Sequence, residues 1–190
     1  IQSILEESGV DLSRLDAIVL GNGPGSFIGM RIAASVAQGL AHGAELGIVQ
    51  VSSLAAVAAA VFATQDAQYV AVAQDAHMAE VYFGLYRRGE DGLPSETCPE
   101  RIHGQGPMAE LQALSAEQVV AAGDGWNRYP ALWDSNSDCL HARANELFPR
   151  ARHILRLGEV VIQSNGARSA ADLRPAYLRE KVAEVPAPNS

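Results

Sequence analysis

The chain has 190 residues, 48% hydrophobic and 19% charged, with a net charge of −8. That is apolar mass enough for one large or two small domains, and it argues against global disorder. The acidic balance argues against a stand-alone nucleic-acid binder, which needs clustered Lys and Arg to neutralise phosphates. Cys98 and Cys139, far apart, supply neither a disulfide framework nor a CxxC metal site, which fits a reducing compartment.

Taken in order, Ile1, Ile4, Leu5 and Ser8 fall at helical spacing, with Gly9 as a C-cap. With no Met at its start, the chain is expected to open inside a helix, with an N-terminal piece preceding it. Asp11 to Leu15 reads as a capped turn. Ala17-Ile18-Val19-Leu20 lacks polar alternation and reads as a strand covered on both faces. Gly21, Gly23, Pro24 and Gly25 then break regular structure, and Ser26 is a good N-cap for a helix over Ile28–His42.

That helix has an unusual wheel. Arg31, Ser35, Gln38 and His42 share a narrow polar stripe. Ile28, Ile32, Val36 and Leu40 form a ridge beside it, and Gly29, Ala33, Ala37 and Ala41 form a second ridge of small residues. A helix covering one sheet needs an apolar arc of somewhat over 100°. This one is apolar or small around most of its circumference, so it is expected to meet its own sheet and also a second helix.

The glycine turn invites a phosphate reading, because free N–H groups at a helix N-terminus attract anions. Gly23, Gly25 and Ser26 are therefore candidate nucleotide contacts. The detailed fingerprints fail, however: no Lys follows for a Walker loop, the spacing is GxGxG rather than GxGxxG, and Pro24 spoils a nucleophile elbow.

Further on, Gly43 and Gly47 mark a stop. Gly47–Val51 is a strand, and Ser52-Ser53 cap an Ala-rich helix over Leu54–Ala63, giving parallel βαβ packing. Tyr69–Ala73 is a strand and Asp75–Ala79 a turn. Val81, Phe83 and Leu85 alternate with Tyr82, Gly84 and Tyr86 as a half-buried antiparallel hairpin. Pro94–His103 is a further strand, Pro107–Leu114 a helix, and Glu117–Ala122 a strand ending in Gly123-Asp124-Gly125-Trp126. VAAGDGWNR thus echoes VLGNGPGSF as strand into glycine turn, which suggests two lobes on one plan. Arg128–Asn145 reads as irregular. Pro149 opens a helix whose apolar face is Ile154, Leu155, Leu157, Val161 and Ile162, ended by Gly166. The divisions expected are a first lobe over 1–66, a second over 67–167, and a C-terminal segment over 168–190 whose tail from Lys181 is frayed. No run is long and apolar enough to span a membrane.

For chemistry, His42, His77, His103, His141 and His153 show no HxxH, HxxxH or HExxH spacing, so no metal site is expected. Asp75, His77 and Glu80 lie close enough in sequence to act as acid, base and orienter, though a turn with solvated side chains explains them as well. Asp124, between two glycines, is a turn residue first and a phosphate-side ligand second. Arg150, Arg152 and Arg156 make a modest basic patch, read as a solvated helix face, with RNA or an acidic partner as alternatives.

Three ordered motifs resemble the bacterial TsaB (YeaZ) family. Gly23 to Ile32, GPGSFIGMRI, is similar to its GPGSFTGLRIG signature; Asp75 to Tyr82, DAHMAEVY, to its DARMGEVY; and Pro175 to Arg179 to its PxYLR. Ile28, Ala33, His77 and Ala79 depart from the family's Thr, Gly, Arg and Gly. The resemblance implies an α/β fold of two duplicated actin-like (ribonuclease-H-like) lobes with mixed sheets, the first strands of lobe one lying outside this sequence. It implies that Asp75, at the end of a lobe's first strand, is the best remnant of a nucleotide site. It also implies a non-catalytic, cytoplasmic subunit, since catalytic relatives carry a helical HxxxH. Such a subunit works in threonylcarbamoyladenosine synthesis beside the tRNA anticodon, with a TsaD-like catalytic paralogue and a TsaE-like ATPase. A homodimer is expected in isolation and tRNA contact only through the complex. No cofactor is expected for the chain alone, with ATP at the level of the complex. The partner-binding residues expected are Ile1, Leu5, Ile28, Arg31, Ile32, Ala34, Ser35 and Gln38. A glycoprotease-like peptidase or nucleotide-hydrolysing enzyme is the alternative.

Overall fold

The computed structural model describes residues 1–179; the tail expected from Lys181 lies outside them. Helix α1 (Gln2–Ser8) buries no residue and ends at Gly9, whose φ of 64° is the left-handed cap expected there. A 3-10 turn over Leu12–Arg14 leads into strand β1 (Ala17–Gly21). Helix α2 (Phe27–Ala44) follows, capped by the Ser26 hydroxyl, which accepts from the Gly29 N–H. The helix runs through Gly43 and stops at Glu45, with φ 56°. Strand β2 (Gly47–Val51) pairs in parallel with β1 to form a two-stranded sheet.

Helix α3 (Ser53–Thr64) is capped by Ser52, whose hydroxyl accepts from the Leu54 and Ala55 N–H groups. The second sheet takes β3 (Tyr69–Asp75), β4 (Val81–Arg88), β5 (Pro94–His103), β6 (Val119–Ala122) and β7 (Ala142–Arg143) in the order β5-β4-β3-β6-β7. Its β4 runs antiparallel to both of its neighbours, β3 and β5, while β3, β6 and β7 run parallel. The mixed α/β class expected is therefore present.

Alternation sorts this sheet's residues onto two faces. Val70, Val72, Tyr86, Val120 and Ala122 pack on α3, through Leu54, Val57 and Val61. Ala71, Phe83, Leu85 and Ala121 pack on the far side against Met108, Trp126 and Leu132. The β3–β4 hairpin is thus covered on both faces rather than half-buried. Tyr86, expected outward, is 2% exposed because α3 lies over it. Gly84 makes room, since a Cβ there would sit 2.9 Å from the Tyr86 ring.

The far layer is built of short helices: α4 (Ala109–Gln112), α5 (Gly125–Arg128) and α6 (Pro130–Asp134). The helix expected over Pro107–Leu114 shrinks to α4. The stretch expected to be irregular contains α6, which Pro130 opens at its first position. Helix α7 (Ala151–Asn165) begins two residues after Pro149, which therefore stands outside it. On α7, His153 and Gly158 are buried, whereas Leu155, expected on the apolar face, is 53% exposed.

The packing crosses the expected lobe divisions. Helix α3 comes from the first stretch, yet it lies on the second sheet; α7 comes from the second stretch, yet it packs on β1, β2 and α3. Gly158 lets α7 approach, since a Cβ there would lie 2.3 Å from Val19 Cγ1. Strand β1 is covered by α2 and α7, but its residues stay half-buried, being paired along one edge.

Candidate functional site

Two surfaces concentrate the residues singled out in the sequence. The first is a cleft of about 420 Å³ between the glycine turn and the second sheet, lined by Gly25, Ser26, Asp75 and Asp124 among others. These four candidate nucleotide contacts, from opposite ends of the chain's α/β units, do converge. Gly23 does not join them at the surface. It is buried, with φ 94°, and its carbonyl accepts from the Ser53 N–H at 2.7 Å. A Cβ there would collide with Met30 Sδ at 2.3 Å, so Gly23 shapes the turn. The remaining walls are mostly apolar or aromatic: Phe27, Met30, Met78, Tyr82, Tyr177 and Leu178.

Asp75 is the most constrained group in the cleft. Its Oδ1 accepts from the Tyr129 hydroxyl at 2.6 Å and from the His77 N–H at 2.8 Å. Its Oδ2 meets Arg128 Nε at 3.0 Å and His77 Nδ1 at 3.4 Å. Burial, the largest single influence, raises its pKa. Tyr129, the His77 N–H and Arg128 outweigh that together and hold the carboxyl below its ordinary value. The result is an ionised carboxylate already neutralised by its own chain. Asp124 is committed too, since its Oδ1 accepts from the Asp75 N–H at 3.2 Å. Among the described residues no group of three His, Cys, Asp or Glu is placed to hold a metal ion. This donor set does not fit a metal-bound nucleotide, because the carboxylate that would face the metal is spent on Arg128.

The turn after Asp75 is strained. His77, Met78 and Ala79 all have positive φ, of 60°, 55° and 60°. Non-glycine residues adopt that region at a cost of roughly 1–2 kcal/mol each. The acid–base trio of Asp75, His77 and Glu80 separates here: Glu80 pairs with Arg179 and not with His77.

Arg179 belongs to a C-terminal segment that crosses the cleft. Arg168 bridges to Ile48 of β2, a 3-10 turn over Ala170–Asp172 touches α2, and Leu173 is buried beside Ala34. The Ala176 N–H donates to the Asn22 carbonyl at 3.2 Å. Tyr177 stacks on Phe27 at 5.4 Å and accepts from Arg31 Nε at 3.0 Å. Arg179 then donates to the Ala76 carbonyl at 3.2 Å. Arg128 and Tyr129 were not singled out by the sequence, and Tyr177 only as the tyrosine of the Pro175–Arg179 motif. The pointer available was that Arg128 and Tyr129 directly follow the Gly-Asp-Gly-Trp turn.

The second surface is the outer side of α2. Ile28, Ile32 and Val36, at helical spacing of four, are 69%, 60% and 46% exposed. Ala34, Ala37 and Ala41, on the inner side, are 5%, 4% and 1% exposed and pack with Ile48 and Leu173. Ala34, expected at a partner, therefore meets its own sheet. Gln38 is also engaged internally, donating to the Ala170 carbonyl at 3.0 Å. Arg31 is exposed but lies 3.9 Å over the Phe27 ring, and Ser35 is exposed. On α1, Ile1 and Ile4 are 64% and 69% exposed and Leu5 is half-buried; α1 is not among the elements that α2 packs against most. No helix among the described residues is long and apolar enough to cross a membrane.

The chain is similar to known proteins over most of its length. A family model described as "TsaD: tRNA N6-adenosine threonylcarbamoyltransferase" matches residues 1–187. The tRNA threonylcarbamoyladenosine biosynthesis protein TsaB of Haemophilus influenzae is 34% identical over 96% of this chain and 78% of its own length. The Escherichia coli protein of that name is 36% identical over 96% of this chain and 79% of its own. Among solved structures, one titled as an uncharacterized protein with similarity to peptidase YEAZ, from Pseudomonas aeruginosa, superposes with a TM-score of 0.83 at 33% identity, covering 94% of this chain and 80% of that one. A structure titled YeaZ from Pseudomonas aeruginosa gives a TM-score of 0.79 at 32% identity, covering 92% and 80%.

Proposed function

Since the chain belongs to the TsaB (YeaZ) family, we propose that it serves tRNA threonylcarbamoyladenosine biosynthesis as a docking subunit rather than as the catalyst. The observation that carries this reading is the outer ridge of α2. Three branched apolar side chains in one line face solvent while the inner ridge of alanines satisfies the sheet. A contiguous exposed apolar ridge on a helix is the form that helix-to-helix docking takes. The occupant that fits is the corresponding helical face of a TsaD-like catalytic paralogue, with a TsaE-like ATPase completing the assembly. Without that partner, a second copy of this chain covers the same ridge. The neutralised Asp75 supports a subunit that carries no cofactor of its own, with ATP entering at the level of the complex.

The test is Ile32→Glu, which places a charge in the centre of the ridge and leaves the core untouched. Light scattering of the variant mixed with the catalytic paralogue is expected to give separate subunits, with circular dichroism unchanged. An undiminished complex mass, or ATP turnover by the isolated parent chain, would overturn the reading.

A further inference from the structure

The protein is acidic, yet one end of α7 carries three arginines within seven positions: Arg150, Arg152 and Arg156. All three are exposed. Among the described residues none of them forms an ion pair. Glu146, the carboxylate that acts on His153, accepts from the Thr64 hydroxyl at 3.3 Å and, among the described residues, from no arginine. Arg150 is the N-cap residue of α7 and makes no capping hydrogen bond. Cations at a helix N-terminus oppose the helix dipole, and like charges one turn apart repel. Among the described residues no ion pair offsets that cost. Beneath the patch, His153 accepts through its Nε2 from Arg152 Nε at 2.9 Å. Its pKa is lowered first by burial and then by Arg152, with Glu146 pulling the other way and Arg150 and Arg156 adding to the fall.

Phe148 stands beside the three arginines in sequence and is 61% exposed. Phe148 and Pro149 share the walls of a second cleft with Gly29, Met30 and Ala33 of α2. The basic end of α7 is thus continuous, across that cleft, with the docking helix. Arginines with no ion pair among the described residues, close in sequence to an open aromatic ring, offer what a single-stranded or looped RNA takes: guanidinium groups for phosphates and a face for a base.

We propose that Phe148, Arg150, Arg152 and Arg156 contact the RNA substrate within the assembly, beside the surface that holds the catalytic partner. This rests on the docking reading above. The chain's overall charge keeps the isolated subunit a poor RNA binder. The patch adds its share once a partner supplies the remaining contacts.

The experiment uses the complex of this chain with its catalytic paralogue and an unmodified tRNA transcript, titrated at several salt concentrations. Each lost phosphate contact lowers the salt slope by roughly 0.7 to 1. The double variant Arg152→Gln/Arg156→Gln is therefore expected to lower it by about two and to weaken binding about tenfold or more at low salt. Arg152→Lys/Arg156→Lys keeps the charge and should keep most of the slope. Phe148→Ala is expected to weaken binding about tenfold with the slope unchanged. An unaltered slope and affinity in an intact complex would overturn the proposal. So would loss of the complex in the Gln variant, which would make the patch a contact for an acidic protein surface. If the parent chain formed no complex at all, the docking reading would fail and this proposal with it, an outcome distinct from an intact complex whose RNA binding is unaltered.

Discussion

Helices α2 and α3 are both rich in alanine and branched apolar residues, and both follow a parallel strand through a serine cap. Their surroundings differ sharply. From Ser53 to Phe62, α3 is buried at nine of ten positions, with the second sheet on one side and α7 near the other. In α2 only Ala34, Ala37 and Ala41 are buried over eighteen residues. Apolar composition alone therefore does not place a helix in a core. What separates the two is where the large side chains point: inward on α3, outward on α2. A helix that turns its small residues to its own sheet and keeps its large ones outside leaves an apolar ridge uncovered within the chain.

The comparison breaks most clearly under truncation. Leu54→Ala on α3 is expected to cost about 2–5 kcal/mol, whereas Ile32→Ala on α2 should stay within about 0.5 kcal/mol, both read from urea midpoints. Equal losses would mean that the α2 ridge is packed within the monomer. The caps sharpen the contrast. Ser52 is half-buried and its hydroxyl also donates to Glu100, while Ser26 is exposed and makes one cap bond. Ser52→Ala should cost about 1–2 kcal/mol and Ser26→Ala about 0.5–1 kcal/mol by the same measurement.

Ala79→Gly, outside both helices, supplies a baseline. It relieves one residue held at φ 60° and is expected to raise stability by about 1 kcal/mol in thermal unfolding. The smallest effect should come from Glu100→Gln, beneath the α3 cap. Burial raises the Glu100 pKa above its usual value, against the pull of Ser52 and Tyr86. A folded-state pKa above the unfolded one means stability is fullest at low pH and declines as pH rises through the folded value. The Gln variant should therefore gain relative to the parent at pH 7 and lose that gain below about pH 4.5. Asp75 works with the opposite sign. Its lowered pKa gives stability that is present at neutral pH and lost as acid protonates it, so Asp75→Asn should flatten the acid limb of the profile.

Much of this architecture was legible locally. Strand, glycine turn, Ser26 cap and helix follow from near-neighbour chemistry, as do the Ser52 cap and the β3–β4 hairpin. The outer ridge of α2 could be read from its wheel, but its partner residue Ala34 was assigned to the wrong side, because an alanine suits either. What no local pattern carried were the long-range contacts. Tyr86 alternates as an outward residue, and only α3 laid over the hairpin buries it. Arg128 and Tyr129 look like loop residues until the sheet brings Asp75 to them. Leu155 matches the α7 apolar period, yet Gly158 tilts the close approach to one side of that helix.

The segment from Arg168 to Arg179 finishes structures begun at the other end of the chain. It adds its bridge to β2, fills the space beneath α2 with Leu173, and holds Arg31 through Tyr177. A nascent chain emerging from the ribosome therefore cannot close the base beneath α2 until residues 168–177 have been made. Helix α2 rests on an unfinished base until then, so it takes its final seat only after Leu173 and Tyr177 have been added.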